Sequence, residues 1–259
     1  MTGRRHALIA HLALAAVAFA FLLPFAVQSV YAGFVWDDAF YLLRADALFG
    51  RLDDAPDLAA AMREWRSYPP LWPLVLGLAG GGSRALLPAF VANVACIVAW
   101  LAAFLWWLRR AGTGSGTGFL LAIAALFAPF TLYYAQTLWS EHLYLAFALA
   151  ALAAAEHGLA TRRALVATAV LVTLAALTRT AGIALAIAFA LLLAWRRPRD
   201  WLLAAMLPLA AIVVERVLNP GRDYVGALVG ATAHDDPLAR IDAIAGFLGS
   251  SWTAGWSFQ

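Results

Sequence analysis

Residues 86–110 read LLPAFVANVACIVAWLAAFLWWLRR, running from Leu86 to Arg110. No charge interrupts this stretch before Arg109, and Trp106 and Trp107 stand just ahead of the two arginines. As a helix, Leu86 to Leu108 would be about 34 Å long at 1.5 Å per residue, enough to cross the hydrocarbon core of a bilayer. Aromatic side chains followed by arginines anchor such an end at the cytoplasmic surface. Reading outward from this block, similar apolar runs separated by short arginine-bearing breaks recur on both sides, as several membrane spans in series require.

Composition agrees with that reading. Of 259 residues, 64% are hydrophobic and only 13% charged. A water-soluble domain has no interior large enough for that apolar share. All eighteen basic residues are arginine and the net charge is only +3, so the balance reflects loop anchoring and gives no sign of a nucleic-acid partner. The single cysteine, Cys96, lies inside an apolar block and forms no internal disulfide or cysteine metal cluster.

The first apolar block, Ala7 to Val30, follows Arg4 and Arg5 and would make about 36 Å of helix. A cleaved signal peptide is the rival reading, with Val30 to Gly33 as the cleavage site, but the block exceeds the usual apolar length of such peptides. Either way the next segment lies outside. That external loop, 31–70, carries Asp37, Asp38, Asp46, Asp53, Asp54, Asp57 and Glu64 among aromatics. Short helices at the interface are expected near Ala39 to Phe49 and Leu58 to Trp65. After Pro69 and Pro70, Leu71 to Ala79 is too short to span and reads as a half-helix ahead of Gly80, Gly81 and Gly82.

Beyond Arg110 the glycine-rich run Gly112 to Gly118 lacks the lysine and the spacing of a phosphate loop and reads as a flexible turn. One helix from Phe119 to Glu156 would be about 57 Å long, so the chain must fold back, and the polar cluster Gln136 to His142 is the natural turn. Leu165 to Trp195 folds back at Thr178, Arg179 and Thr180, and Trp201 to Leu218 goes outward again. The expected fold is thus an all-α polytopic membrane protein with about seven transmembrane helices and interfacial helices in the first external loop. Residues 1–218 form the transmembrane module and 219–259 a second external segment.

Counting charges tests the orientation. The inside loops hold nine arginines against Glu156 and Asp200, and the outside holds nine arginines against thirteen acids, giving +7 and −4, which sum to +3. This asymmetry puts the amino terminus in the cytoplasm. The later spans have apolar cores of only about fifteen residues, so Glu141, His142 and Arg179 are expected to sink below the headgroups and line a cavity, or else to snorkel at a thin edge. Asp37 and Asp38, just past the first span, are placed either as a general base at the cavity mouth or as acidic caps of a helix beginning at Ala39.

Four short motifs, Trp36-Asp37-Asp38-Ala39-Phe40-Tyr41, Tyr68-Pro69-Pro70-Leu71, Ser140-Glu141-His142 and Leu177-Thr178-Arg179-Thr180-Ala181-Gly182, follow one another along the chain. Their order is similar to that of the GT-C superfamily of polyprenyl-phosphate-dependent glycosyltransferases. The chain most resembles the bacterial relatives of protein O-mannosyltransferases and of the lipid A aminoarabinose transferase. Tyr68 stands where many relatives carry a basic residue, and the family continues past the second external segment, so the chain looks like an amino-terminal module that ends early at Gln259.

The resemblance implies transfer of a sugar from a polyprenyl-phosphate donor to an acceptor outside a bacterial inner membrane, with inversion. Asp37 would be the base and Asp38 would orient the acceptor. Arg179, with Arg66, would meet the departing phosphate, and Glu141, His142 and Tyr68 would complete the binding set. Neither a metal nor another cofactor is implied, since arginine can neutralise a monophosphate and no D-x-D or His/Cys ligand set is present. Partners are the lipid-linked donor, membrane lipid and an unidentified acceptor. The alternatives are a membrane transporter, disfavoured by span centres nearly free of charge, and a non-catalytic membrane scaffold.

Overall fold

The structure is a computed structural model, and it describes residues 2–29, 36–64, 69–156 and 161–218. Among these, eleven helices and no named strand occur, so the chain is all-α. They are α1 (Thr2–Val27), α2 (Trp36–Leu48), α3 (Pro56–Glu64), α4 (Leu71–Leu78), α5 (Leu86–Arg110) and α6 (Ser115–Leu126). After these come α7 (Pro129–Ala135), α8 (Glu141–Glu156), α9 (Arg162–Thr178), α10 (Gly182–Arg196) and α11 (Trp201–Leu218).

Each apolar block became a helix, and the short pieces of the first loop did too. Three differences stand out. Helix α2 begins at Trp36, three residues before the expected start, so Asp37 and Asp38 lie in its first turn rather than ahead of it. The third apolar block is broken, because α6 ends at Leu126 and α7 leaves at a bend of 54°. Pro129 cannot continue a helix from below, Ala128 is extended, and the Thr131 hydroxyl donates to the Ala125 carbonyl at 2.6 Å, occupying one of the acceptors that the break frees. The glycine run is also only half a turn, since Ser115 to Gly118 are helical.

Among the described residues, α5 alone is long and apolar enough to cross a membrane, and α6 with α7 would add a second if taken as one broken span. Helix length and composition among the described residues therefore single out one or two crossings, and the count of seven rests on the apolar blocks of the sequence.

Two apolar cores lie along the bundle. The first joins α1, α2, α4 and α5 with the start of α8, around Leu22, Trp72, Leu76, Ile97 and Leu126. The second joins the far part of α8 to α9, α10 and α11, around Val172, Phe189 and Leu193. Helix α8 belongs to both and buries mainly small side chains, Ala146, Ala148, Ala151, Ala153 and Ala154. A smaller cluster, Ala47, Leu52, Ala59 and Met62, seats α3 on α2.

Helices α2 and α4 end alike. Gly50 and Gly80 take positive φ, 66° and 84°, and the following amides bond back to the residue two before each helix end: Arg51 to the Asp46 carbonyl and Gly81 to the Leu76 carbonyl. Glycine is favoured at such an end because a Cβ is strained there. Between these ends, Asp46 accepts from the Ser83 amide at 2.7 Å and hydroxyl at 2.6 Å. Arg51 donates to the carbonyls of Gly77 and Gly81 at 2.8 and 2.9 Å. The clamp fixes α2, and with it the two aspartates of its first turn, against α4.

Candidate functional site

The site is organised by Gln136 to Ser140, the non-helical link between α7 and α8. A buried irregular segment must have its backbone groups satisfied from elsewhere, and four separate elements supply the partners. From the end of α1, Ser29 donates to the Gln136 carbonyl at 2.7 Å. From α5, the Asn93 amide donates to the carbonyls of Tyr134 at 2.9 Å and Thr137 at 2.7 Å. From α4, the Trp72 indole donates to the Leu138 carbonyl at 2.6 Å. From α2, Asp38 accepts from the Leu138 amide at 2.9 Å, and Tyr41 lies 3.3 Å from the Ser140 hydroxyl.

Glu141 leaves this frame as the first residue of α8, where the positive end of the helix dipole favours a carboxylate. It forms an ion pair with Arg179. Arg179 sits at the end of α9 with extended backbone (φ −147°, ψ 148°), and its carbonyl accepts from the Gly182 amide at 2.9 Å as the chain turns into α10. The second carboxylate oxygen of Glu141 is buried with no hydrogen-bond partner among the described residues. The Arg179 side chain is 37% exposed.

Asp37 is half-buried in the first turn of α2, and its charge reaches both Tyr41 and Glu141. Burial pushes the Tyr41 phenol well above its ordinary range, so it stays protonated at neutral pH beside Ser140. Asp37, Tyr41, Glu141 and Arg179 therefore share one electrostatic neighbourhood although they come from three distant parts of the sequence.

The other residues expected at the site differ in what they touch. Asp38 is fully buried and accepts from the Leu138 amide, so it helps to position the link. His142 is 2% exposed between the rings of Trp100 and Tyr134, at centroid distances of 5.3 and 5.6 Å, so it packs inside and does not line an opening. Arg66 and Tyr68 lie outside the described residues. Among the described residues no group of three or more His, Cys, Asp or Glu could hold a metal ion.

No family model, curated protein or solved structure matches the chain.

The frame itself escaped the sequence reading. Asn93, Trp72 and Ser29 do most of the pinning, and none stands in a motif. Asn93 did carry a signal, as the only amide side chain in the block from Leu86 to Leu108, and a polar group inside a span is costly unless it bonds to a neighbour.

Gly182 holds the Arg179 turn close to α9. A Cβ there would lie 2.6 Å from the Ala175 carbonyl carbon, with backbone of Ala176 equally crowded, and backbone cannot move aside as a flexible side chain can. Replacing Gly182 by alanine is expected to destabilise the detergent-solubilised protein by about 1–3 kcal/mol, read as a lower midpoint in thermal unfolding followed by tryptophan fluorescence.

Proposed function

We propose that the chain is a multi-pass membrane glycosyltransferase of the GT-C kind, moving a sugar from a polyprenyl phosphate to an acceptor on the extracytoplasmic side of a bacterial inner membrane. The observation that carries the reading is the meeting of Asp37, Glu141 and Arg179 around one pinned link at one end of the helix bundle. A carboxylate with partial access and a guanidinium with partial access, held apart from bulk apolar surface, are the two groups that transfer from a lipid phosphate needs.

In this mechanism Asp37 takes the proton of the acceptor hydroxyl while its oxygen attacks the sugar's anomeric carbon from the face opposite the phosphate. The bond between that carbon and the phosphate oxygen breaks, the configuration inverts, and the lipid phosphate leaves with its negative charge. Arg179 presents five N–H donors, and the ion pair to Glu141 occupies one nitrogen, so the others can meet the departing phosphate. Glu141 holds Arg179 in place, and Asp38, Asn93 and Trp72 hold the link that bears Glu141.

Support for several crossings comes from what faces outward. Leu120, Leu191 and Leu203 are 67%, 66% and 73% exposed, on α6, α10 and α11. Such apolar side chains on the outside of neighbouring helices suit lipid better than water. Helices α8 to α11, of 16, 17, 15 and 18 residues, reach about 23–27 Å at 1.5 Å per residue, slightly short of the ~30 Å core, which a locally thinned bilayer accommodates.

Single-cysteine variants test the orientation, in a background where buried Cys96 is replaced by alanine. Leu48→Cys and Ala181→Cys are expected to react with a membrane-impermeant maleimide in intact cells, and Ala111→Cys and Arg163→Cys only after permeabilisation. Labels at positions 48 and 181 on opposite sides would defeat the shared site. The transfer itself is tested with the purified chain in vesicles carrying radiolabelled polyprenyl-phosphate hexose and cell-envelope extract as acceptor. Label should leave the lipid fraction only when the chain is present.

A further inference from the structure

At the other end of the bundle, α9 and α11 diverge around a groove of about 500 Å³. Its mouth carries Arg162, Arg197 and Asp200, and its exposed walls are Val166, Leu203 and Leu207. The polar and apolar residues are not mixed. Along α9 the order is Arg162 then Val166, and along α11 it is Asp200, then Leu203 and Leu207, so charge is confined to one end and grease extends from it along both helices for about 10 Å.

We propose that this groove binds an anionic phospholipid, with the phosphate between Arg162 and Arg197 and one acyl chain lying along Val166, Leu203 and Leu207. Charge complementarity selects the headgroup. Asp200 accepts from Arg197 at 3.0 Å, whereas no carboxylate among the described residues pairs with Arg162. Arg163, Arg196 and Arg199 adjoin the same mouth in sequence, so the two connections that form it carry five arginines against two acids, Glu156 and Asp200. The apolar walls select an amphiphile over a free anion, because inorganic phosphate would leave them empty. The site rests on the membrane reading but not on the sugar-transfer chemistry, which sits at the opposite end of α9.

The test uses the full chain in detergent, with native mass spectrometry of adducts formed with phosphatidylglycerol and with phosphatidylcholine of identical acyl chains. Phosphatidylglycerol should be preferred by roughly tenfold, each surface arginine near an anionic headgroup contributing to the preference. Arg162→Gln, which breaks no ion pair among the described residues, should lose most of that preference, and the Arg162→Gln/Arg197→Gln pair should abolish it. Arg109→Gln/Arg110→Gln, at the same end of the bundle but outside the groove, should retain it. Val166→Trp, which fills the groove, should weaken both lipids while helical circular dichroism stays unchanged.

Equal binding of the two lipids, an equal loss in the Arg109/Arg110 variant, or displacement of lipid by millimolar inorganic phosphate would overturn the proposal. Alkaline extraction of cell membranes separates the two ideas. A chain released by alkali overturns the membrane reading and the lipid site together, and a chain retained in the membrane without headgroup preference overturns the lipid site alone.

Discussion

Replacing Asp37 by asparagine is expected to lower sugar transfer by about 10²–10⁴-fold, the range over which a positioned general base accelerates proton removal. Asparagine keeps the size and the hydrogen-bonding oxygen of the side chain but cannot take a proton. Stability should change far less than activity. Asp37 is half-buried in the first turn of α2, and the favourable interaction of its charge with the helix dipole contributes about 1 kcal/mol at most. Asp38 is the contrasting position. Its replacement by alanine leaves the buried Leu138 amide without its acceptor, and the expected result is a lower melting temperature with a loss of activity that follows the loss of folded protein. Transfer by Asp37→Asn at the unmodified rate, in protein of normal melting temperature, would remove the base from the mechanism.

Asn93→Leu carries the second large effect, and it acts on the fold. Leucine matches asparagine roughly in size and suits an apolar helix, so hydropathy alone predicts stabilisation. The geometry predicts the reverse. The Asn93 amide donates to the Tyr134 and Thr137 carbonyls, with a longer bond to Ala135 at 3.4 Å. These carbonyls close α7 and open the link, and a buried acceptor left unmade costs about 1–3 kcal/mol. For two such groups the expected destabilisation is roughly 2–6 kcal/mol, measured by thermal unfolding in detergent. Ala95→Leu, two residues along on the exposed face of α5, is the control and should be close to neutral. A neutral Asn93→Leu would mean that the link holds itself.

The difference between these positions explains what the sequence could and could not reveal. Helices were legible because an apolar block bounded by arginines has few other ways to satisfy its backbone, and α5, α8, α9, α10 and α11 lie where the blocks lie. The return at Gln136 to His142 was legible from length, since a single helix could not fit. The interruption of the preceding block at Phe127 and Ala128 was not read, although Pro129 marked it, because the flanking residues are as apolar as the helices. Asp37 was singled out by its place just past the first apolar block and by the motif it stands in, and Arg179 as a charge in the one polar break of an apolar block. Their convergence depends on Ser29, Asn93 and Trp72, whose value lies in reaching a carbonyl far away in the chain. Periodicity carries no information about such a partner. His142 shows the converse limit, since proximity to Glu141 in sequence said nothing about which way its ring turns on α8.

Because α8 presents mostly alanines to α5 and to α9, the seam between the two apolar cores is smooth, with few large side chains to act as teeth. A smooth seam permits close approach but fixes sliding poorly. What sets the register between the halves is then the bolt at one end, where Glu141 on α8 is tied to Arg179 beyond α9. On the proposed reading a phosphate meets the other nitrogens of Arg179 with the bolt still closed, so a bound donor would find the two halves of the bundle already aligned.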